Sequence, residues 1–113
     1  MTVKNLIDEL GLSVYNPVNL EREITGGYCG DLLSFVMGSA PCGCAWVTIM
    51  GGVNTIAVAL LADTACVILA ESVQPGEEAE KRAKEQDICL LGSKLDSFEL
   101  CGRIYALLNK NNE

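Results

Sequence analysis

The chain has 113 residues, half of them apolar, with 15 acidic and 8 basic side chains, six cysteines and no histidine. That length supports one hydrophobic core, so a single domain over residues 1–113 is expected. A formal net charge of −7 disfavours a nucleic-acid partner. Without histidine the chain can build neither a Ser-His-Asp nor a Cys-His nucleophile, nor any His-based metal site.

The opening "MTVKNLIDELGL" lacks the apolar core and small-residue cleavage site of a signal peptide. A cytoplasmic location is therefore expected, with the cysteines as reduced thiols rather than a disulfide framework. Residues 2–11 read as a helix: Thr2 can cap it, Leu6, Ile7 and Leu10 form its apolar stripe, and Gly11 stops it. A short strand at residues 13–15 ends at the turn signal Asn16-Pro17. Residues 20–25 alternate apolar with charged or polar side chains, the pattern of a half-exposed strand, until Gly26 and Gly27 break it.

The stretch "EITGGYCGDLL" then places three glycines within five positions, ahead of a segment with helical spacing in Leu32, Leu33, Val36 and Met37. Two readings are open. A phosphate-cradling loop uses free backbone N–H groups at a helix start and a nearby cation. The spacing is not that of a P-loop, however, and the loop has no lysine. In the other reading Asp31 caps the helix, and Gly26, Gly27 and Gly30 are turn residues that permit positive φ.

Residues 34–62 carry no charge. A membrane-spanning helix needs roughly 20 mainly apolar residues, but Pro41, Gly43, Gly51 and Gly52 interrupt this run, and no basic anchor flanks it closely. No membrane span is expected. A loop at residues 38–44, a strand at residues 45–50 and an apolar helix at residues 53–61 account for the same run; a helix apolar on every side is buried all round or half-faces a second subunit. "ACVILA", residues 65–70, suits a strand covered on both faces.

"GEEAEKRAKEQ" is a solvated helix, in which Glu77–Lys81, Glu78–Arg82 and Glu80–Lys84 are spaced to support it by about 0.2–0.5 kcal/mol each. A strand at residues 88–91 follows. Asp96 and Glu99 have capping-box spacing ahead of a last helix whose face is Cys101, Ile104, Tyr105 and Leu108. The tail "NKNNE" is expected to fray. Alternating strands and helices predict a three-layer α/β/α sandwich with a mostly parallel sheet.

Among the thiols, Cys42 and Cys44 could chelate a soft metal with Cys29 as a third ligand, a weak candidate because zinc sites prefer a different spacing and four ligands. No cofactor is expected. Neither "GGYCGD" nor "PCGCAW" contains a base or cation that would activate a cysteine. Arg22 and Arg103 fit surface or capping roles, and Trp46 and Tyr105 fit the core or an interface.

"NLEREITGGYCGDLLSFVM" (residues 19–37) resembles small bacterial and archaeal proteins of the DRTGG-domain family, and the likeness continues through "WVTI", "IAVALL", "QPGEEAEKRAKEQDICLL" and "LDSFELCGRIYALL". The family is named for an Asp-Arg-Thr-Gly-Gly motif. Thr25, Gly26 and Gly27 match it here, while Glu23 and Ile24 stand in place of its Asp-Arg pair. The resemblance implies the fold of the N-terminal domain of HPr kinase/phosphorylase, which is not the kinase domain. It also implies a regulatory or dimer-forming part of the kind found within some phosphotransacetylases and between the CBS domains of certain pyrophosphatases.

The expectation that results is a non-catalytic regulatory or interaction domain acting as a homodimer. Residues 53–61 or the edge near "ITGG" would supply the subunit contact. The alternative is a nucleotide sensor using Thr25, Gly26 and Gly27 together with the turn at Gly51 and Gly52. A cysteine-ligated metal protein is a third reading.

Overall fold

The computed structural model describes residues 1–110. Among these, five helices and five strands follow one another as α1 (Val3–Leu10), β1 (Ser13–Asn16), β2 (Gly27–Cys29), α2 (Leu33–Ser39), β3 (Ala45–Thr48), α3 (Val53–Ala62), β4 (Cys66–Leu69), α4 (Glu77–Gln86), β5 (Leu90–Gly92) and α5 (Ser97–Leu108). The strands form one sheet in the order β1-β5-β4-β3-β2. Neighbours from β2 to β5 run parallel, and β1 closes the far edge antiparallel to β5, with a register shift between Val14 and Asn16. The buried Asn16 amide donates to the Ile88 carbonyl at 2.9 Å there.

Each parallel crossover steps one strand in the same direction. Repeating a crossover of one hand puts its helices on one face. That face buries Val36 of α2, Ile56, Val58 and Ala59 of α3, and Ala79 and Ala83 of α4, against Trp46, Val67, Leu69 and Leu90. The opposite face carries α1 and α5, with Val3, Leu6, Leu100 and Ile104 on Ala45, Val47, Cys66, Ile68 and Leu91. Successive residues of β3 and β4 thus feed alternate cores, which is why both strands are apolar throughout. The three-layer sandwich with a mostly parallel sheet is as the alternation of elements predicts, and no helix among the described residues is long and apolar enough to cross a membrane.

Some local expectations change. Thr2 caps α1 in a capping box with Asn5, and Gly11 ends the helix in the left-handed region at φ 61°. Residues 20–25, however, are no strand. They run beside the start of α1, where the carbonyls of Arg22 and Leu20 accept from the Val3 and Lys4 N–H groups at 3.1 and 2.8 Å, and Ile24 N donates to the Met1 carbonyl at 2.9 Å. The alternation is real, but the segment's partner is the orphan N–H groups of a helix end. Helix α2 runs through Gly38, into the stretch expected to be loop.

Helix α3 is covered on one side only: Thr55, Ile56, Val58 and Ala59 are buried, while Leu61 is 70% exposed. The three opposed pairs of α4 are not among the ion pairs that close; the helical pairs that do are Lys4–Asp8 at 3.6 Å and Arg103–Glu99 at 2.7 Å. In α5 the Asp96 side chain caps Glu99 N as expected. The buried face is Leu100 and Ile104, and Tyr105 turns out to solvent at 72% exposure. Asn109 closes α5; residues 111–113 of the tail lie outside the described residues.

Trp46 anchors the edge of the sheet. It is fully buried, and its indole N–H donates to the Gly30 carbonyl at 2.9 Å. Trp46→Phe removes that bond and leaves part of the ring volume empty, so it should lower unfolding stability by about 2–3 kcal/mol. Urea denaturation checks this: the midpoint falls at unchanged slope, whereas Lys81→Ala on the exposed side of α4 stays within about 0.5 kcal/mol of the parent.

Candidate functional site

The geometry singles out a groove of about 430 Å³ between the edge strand and the last helix. Gly27 and Cys29 of β2 with Ala45 and Val47 of β3 form its floor; Cys101, Ile104, Tyr105 and Leu108 of α5 form its wall; Thr25, Gly26, Tyr28 and Asn109 complete it. No lysine, arginine, aspartate or glutamate lines it among the described residues. The groove therefore offers apolar surface, backbone groups, two thiols, the Tyr105 phenol, the Thr25 hydroxyl and the Asn109 amide, and no fixed charge to meet a phosphate.

Thr25, Gly26 and Gly27 do lie together in this groove. Their conformation is not that of a turn, because neither Gly26, Gly27 nor Gly30 has positive φ. Gly27 belongs to β2, paired with Ala45. A β-carbon at Gly27 would meet nothing closer than the Ala45 carbonyl and Ile104 Cγ2, both at 3.9 Å. Neither backbone strain nor crowding demands glycine here; what the missing side chain does is leave the floor open.

Gly51 and Gly52 are not part of this site. β3 runs from Ala45, beside Gly27, to Thr48, about 10 Å along the sheet at the usual rise per residue, and the two glycines lie beyond its end. Gly51 has a structural role: a β-carbon there would sit 2.8 Å from the Gln74 carbonyl, and its own carbonyl accepts from Gly76 N at 3.0 Å. Gly52 caps α3 through its backbone. Asp31 does not cap α2, whose N-cap is Leu32 with no side-chain bond. Its carboxylate instead accepts from Thr48 Oγ1 at 2.7 Å and Ile49 N at 3.0 Å, which ties the loop after β2 to the end of β3.

A second constellation adjoins the Thr25 end of the groove. Arg22 donates to Asp63 Oδ1 at 3.0 Å and to the Asp63 carbonyl at 3.1 Å, closing the C-terminus of α3. Cys42 Sγ donates to Asp63 Oδ2 at 3.1 Å and lies 3.9 Å from Arg22 Nη2. Thr25 Oγ1 donates to the Cys42 carbonyl at 2.6 Å. Gly43 sits in the left-handed region at φ 80°, with room for a β-carbon only 2.9 Å from Thr25 Cγ2. Local sequence around Cys42 offered no cation or base, yet the fold brings both from about 20 residues away.

The pair does not activate the thiol. The hydrogen bond to Asp63 dominates and raises the Cys42 thiol above its ordinary value despite Arg22. Arg22 and then Cys42 hold the Asp63 carboxyl below the usual carboxylate range. As for the metal candidates, Cys29 is on the groove floor, Cys42 is engaged by Asp63, and Cys44 is buried, with burial raising its thiol to about 11. The three are not brought together, and no group of three potential ligands occurs among the described residues.

Asp63→Asn keeps a residue that tolerates the left-handed C-cap position of α3 and removes the charge that holds the Cys42 proton. Arg22 then dominates, the thiol pKa falls, and iodoacetamide labelling of Cys42 at pH 7 should be several-fold faster than in the parent chain, read by peptide mass mapping.

No family model matches the chain, and no curated protein does. Among solved structures it is similar to the CBS and DRTGG domains of the regulatory region of the Clostridium perfringens pyrophosphatase, a crystal structure complexed with the activator diadenosine tetraphosphate. The TM-score is 0.72 at 17% identity, over 92% of this chain and 45% of that one, so the chain spans less than half the length of that region. The likeness agrees with the resemblance carried by residues 19–37: the chain has a DRTGG-like fold.

Proposed function

We propose that the chain is a non-catalytic regulatory or interaction domain that acts as a homodimer joined through the β2 edge. The observation that carries this reading is an unguarded edge strand. Ala45 N bonds the Gly26 carbonyl at 2.9 Å and Gly30 N bonds the Val47 carbonyl at 3.2 Å, so the even-numbered positions in and beside β2 direct their backbone to β3. Gly27 and Cys29 accordingly direct theirs outward. Natural edges are blunted by shortness, charged side chains, proline or a bulge; β2 is short, but Gly27, Tyr28 and Cys29 carry no charge, proline or bulge. Helix α2 on one face and α5 on the other leave Phe35 64% and Phe98 91% exposed.

A second copy pairing antiparallel at β2 satisfies the outward backbone groups and covers these side chains across a two-fold axis, the commonest symmetry of homo-oligomers. A stable contact of this kind buries at least about 1,000 Å². Light scattering at tens of micromolar should give twice the chain mass. Phe35→Glu with Phe98→Glu, both in solvent in the single chain, should weaken association by at least tenfold while leaving thermal unfolding of the monomer unchanged. A monomeric parent chain overturns the reading.

A nucleotide-sensing role is the second reading. It is favoured by the nucleotide activator bound to the similar regulatory region and by the place of Thr25, Gly26 and Gly27 at the groove. The uncharged lining disfavours a polyphosphate and suits a base or another planar neutral group. Thermal unfolding with diadenosine tetraphosphate tests it: a bound ligand at 100 times its Kd adds about 2.7 kcal/mol, a rise on the order of 10 °C for a domain of this size. Gly27→Val, which fills the floor, should abolish that rise. No rise in the parent chain with either diadenosine tetraphosphate or adenosine overturns the reading.

A further inference from the structure

Cys29 and Cys101 stand apart from the other thiols. Cys44, Cys66 and Cys89 are buried, and Cys42 is held by Asp63. Cys29 is exposed on β2 and Cys101 half-buried on α5, and both line the groove as well as the shallow depression beside Phe98 and Tyr105. The register of α5 on β2 sets the two thiols side by side: a β-carbon at Gly27 would sit 3.9 Å from Ile104 Cγ2, and Cys29 and Cys101 are the next floor and wall positions along the same groove. They are the one place among the described residues where two cysteines from different elements share an accessible surface.

We propose that Cys29 and Cys101 form a two-thiol redox site that low-molecular-weight disulfides such as oxidised glutathione convert to an intramolecular disulfide, pinning α5 to β2. The chemistry runs in two exchanges. The Cys29 thiolate attacks one sulfur of the small disulfide. A mixed disulfide forms on Cys29, the small disulfide's S–S bond breaks, and one small thiolate leaves and takes a proton from water. Cys101 then gives its proton to solvent and attacks the Cys29 sulfur, which expels the second small thiolate. The protein loses two hydrogens and two electrons, and the small disulfide becomes two thiols.

The division of roles follows from position. Cys29 is reachable from solvent and takes the first exchange. Cys101, behind it on the helix, resolves the adduct, the arrangement typical of reversible thiol sensors. Burial, and then the neighbouring Cys29, push the Cys101 thiol up to about 12. Resolution is therefore the slow step at neutral pH and speeds up about tenfold per pH unit between pH 7 and 9. The bond forms within one chain; the pairing at β2 proposed above would cover Cys29 and Phe98, so the exchange takes place on the dissociated chain and is tested at sub-micromolar concentration.

The test uses the full reduced chain with oxidised glutathione, quenched with acid and mapped by mass spectrometry. The expected product is a Cys29–Cys101 linked peptide at the mass of the chain less two hydrogens, with resolution faster at higher pH. Cys101→Ser should trap glutathione on Cys29, and Cys29→Ser should leave Cys101 unmodified over the same period. A stable glutathione adduct on Cys29 of the parent chain overturns the proposal. So does a disulfide joining two copies through Cys29, or recovery of both thiols unreacted while the Cys101→Ser chain is glutathionylated at Cys29.

Discussion

The structure depends on one geometric constraint: a mostly parallel five-stranded sheet must be covered on both faces, and it has three helices for one face and two for the other. A helix is about 10 Å across and strands are about 4.8 Å apart, so one helix shields roughly two strands. Three helices cover the α2-α3-α4 face. On the other, α5 lies over β2 and β3 without closing on the edge, and α1 shares the rest. The strand left half-covered is β2, at the edge. The groove is the shortfall of this layer, and Gly27 keeps it open by adding no side chain to the floor.

The same constraint explains what the residues declare. β3 and β4 lie between two cores, so "AWVT" and "CVIL" are apolar at every position, and a run of that kind is legible without a structure. Helices α1, α4 and α5 carry caps or charge patterns that are local in sequence, and they fall where those signals put them. Residues 20–25 misled because alternation reports only that one side of an extended segment is buried. It does not say whether the partner is a strand or the N-terminus of a helix. Asp31 misled for a related reason: a carboxylate one residue before an N-cap has two sets of donors in reach, and the end of β3 supplied better-placed ones.

The candidate site was legible in part. Thr25, Gly26 and Gly27 stood out as a motif, and they do line the groove, but the groove's wall comes from α5, more than 70 residues later. No local pattern pairs Cys29 with Cys101, or Cys42 with Arg22 and Asp63. These meetings follow from strand order, since placing β2 at the edge sets it beside the helix that follows β5. Gly51 and Gly52 looked equivalent to Gly26 and Gly27 by composition. Strand polarity separates them, because one pair sits at the start of β2's pairing with β3 and the other follows the end of β3.

Charge placement bears on what the edge can meet. The chain is strongly acidic as a whole, which opposes self-association at long range. Its densest charges lie on α4, packed on α3 and β1, toward the sheet edge opposite β2. Near β2 the ionised groups are largely matched: Arg22 with Asp63, Arg103 with Glu99, and Glu23 with the terminal ammonium. The molecule is 41 Å along its longest axis, several times the Debye length of about 8 Å at physiological salt. Two copies meeting at β2 would therefore approach through their most neutral surfaces, with the bulk of their charge screened. A phosphate-rich ligand at the same place would meet no basic side chain in the groove's lining among the described residues, and Arg22 and Arg103 are already paired. Electrostatics thus favours a neutral, extended partner with backbone groups to share.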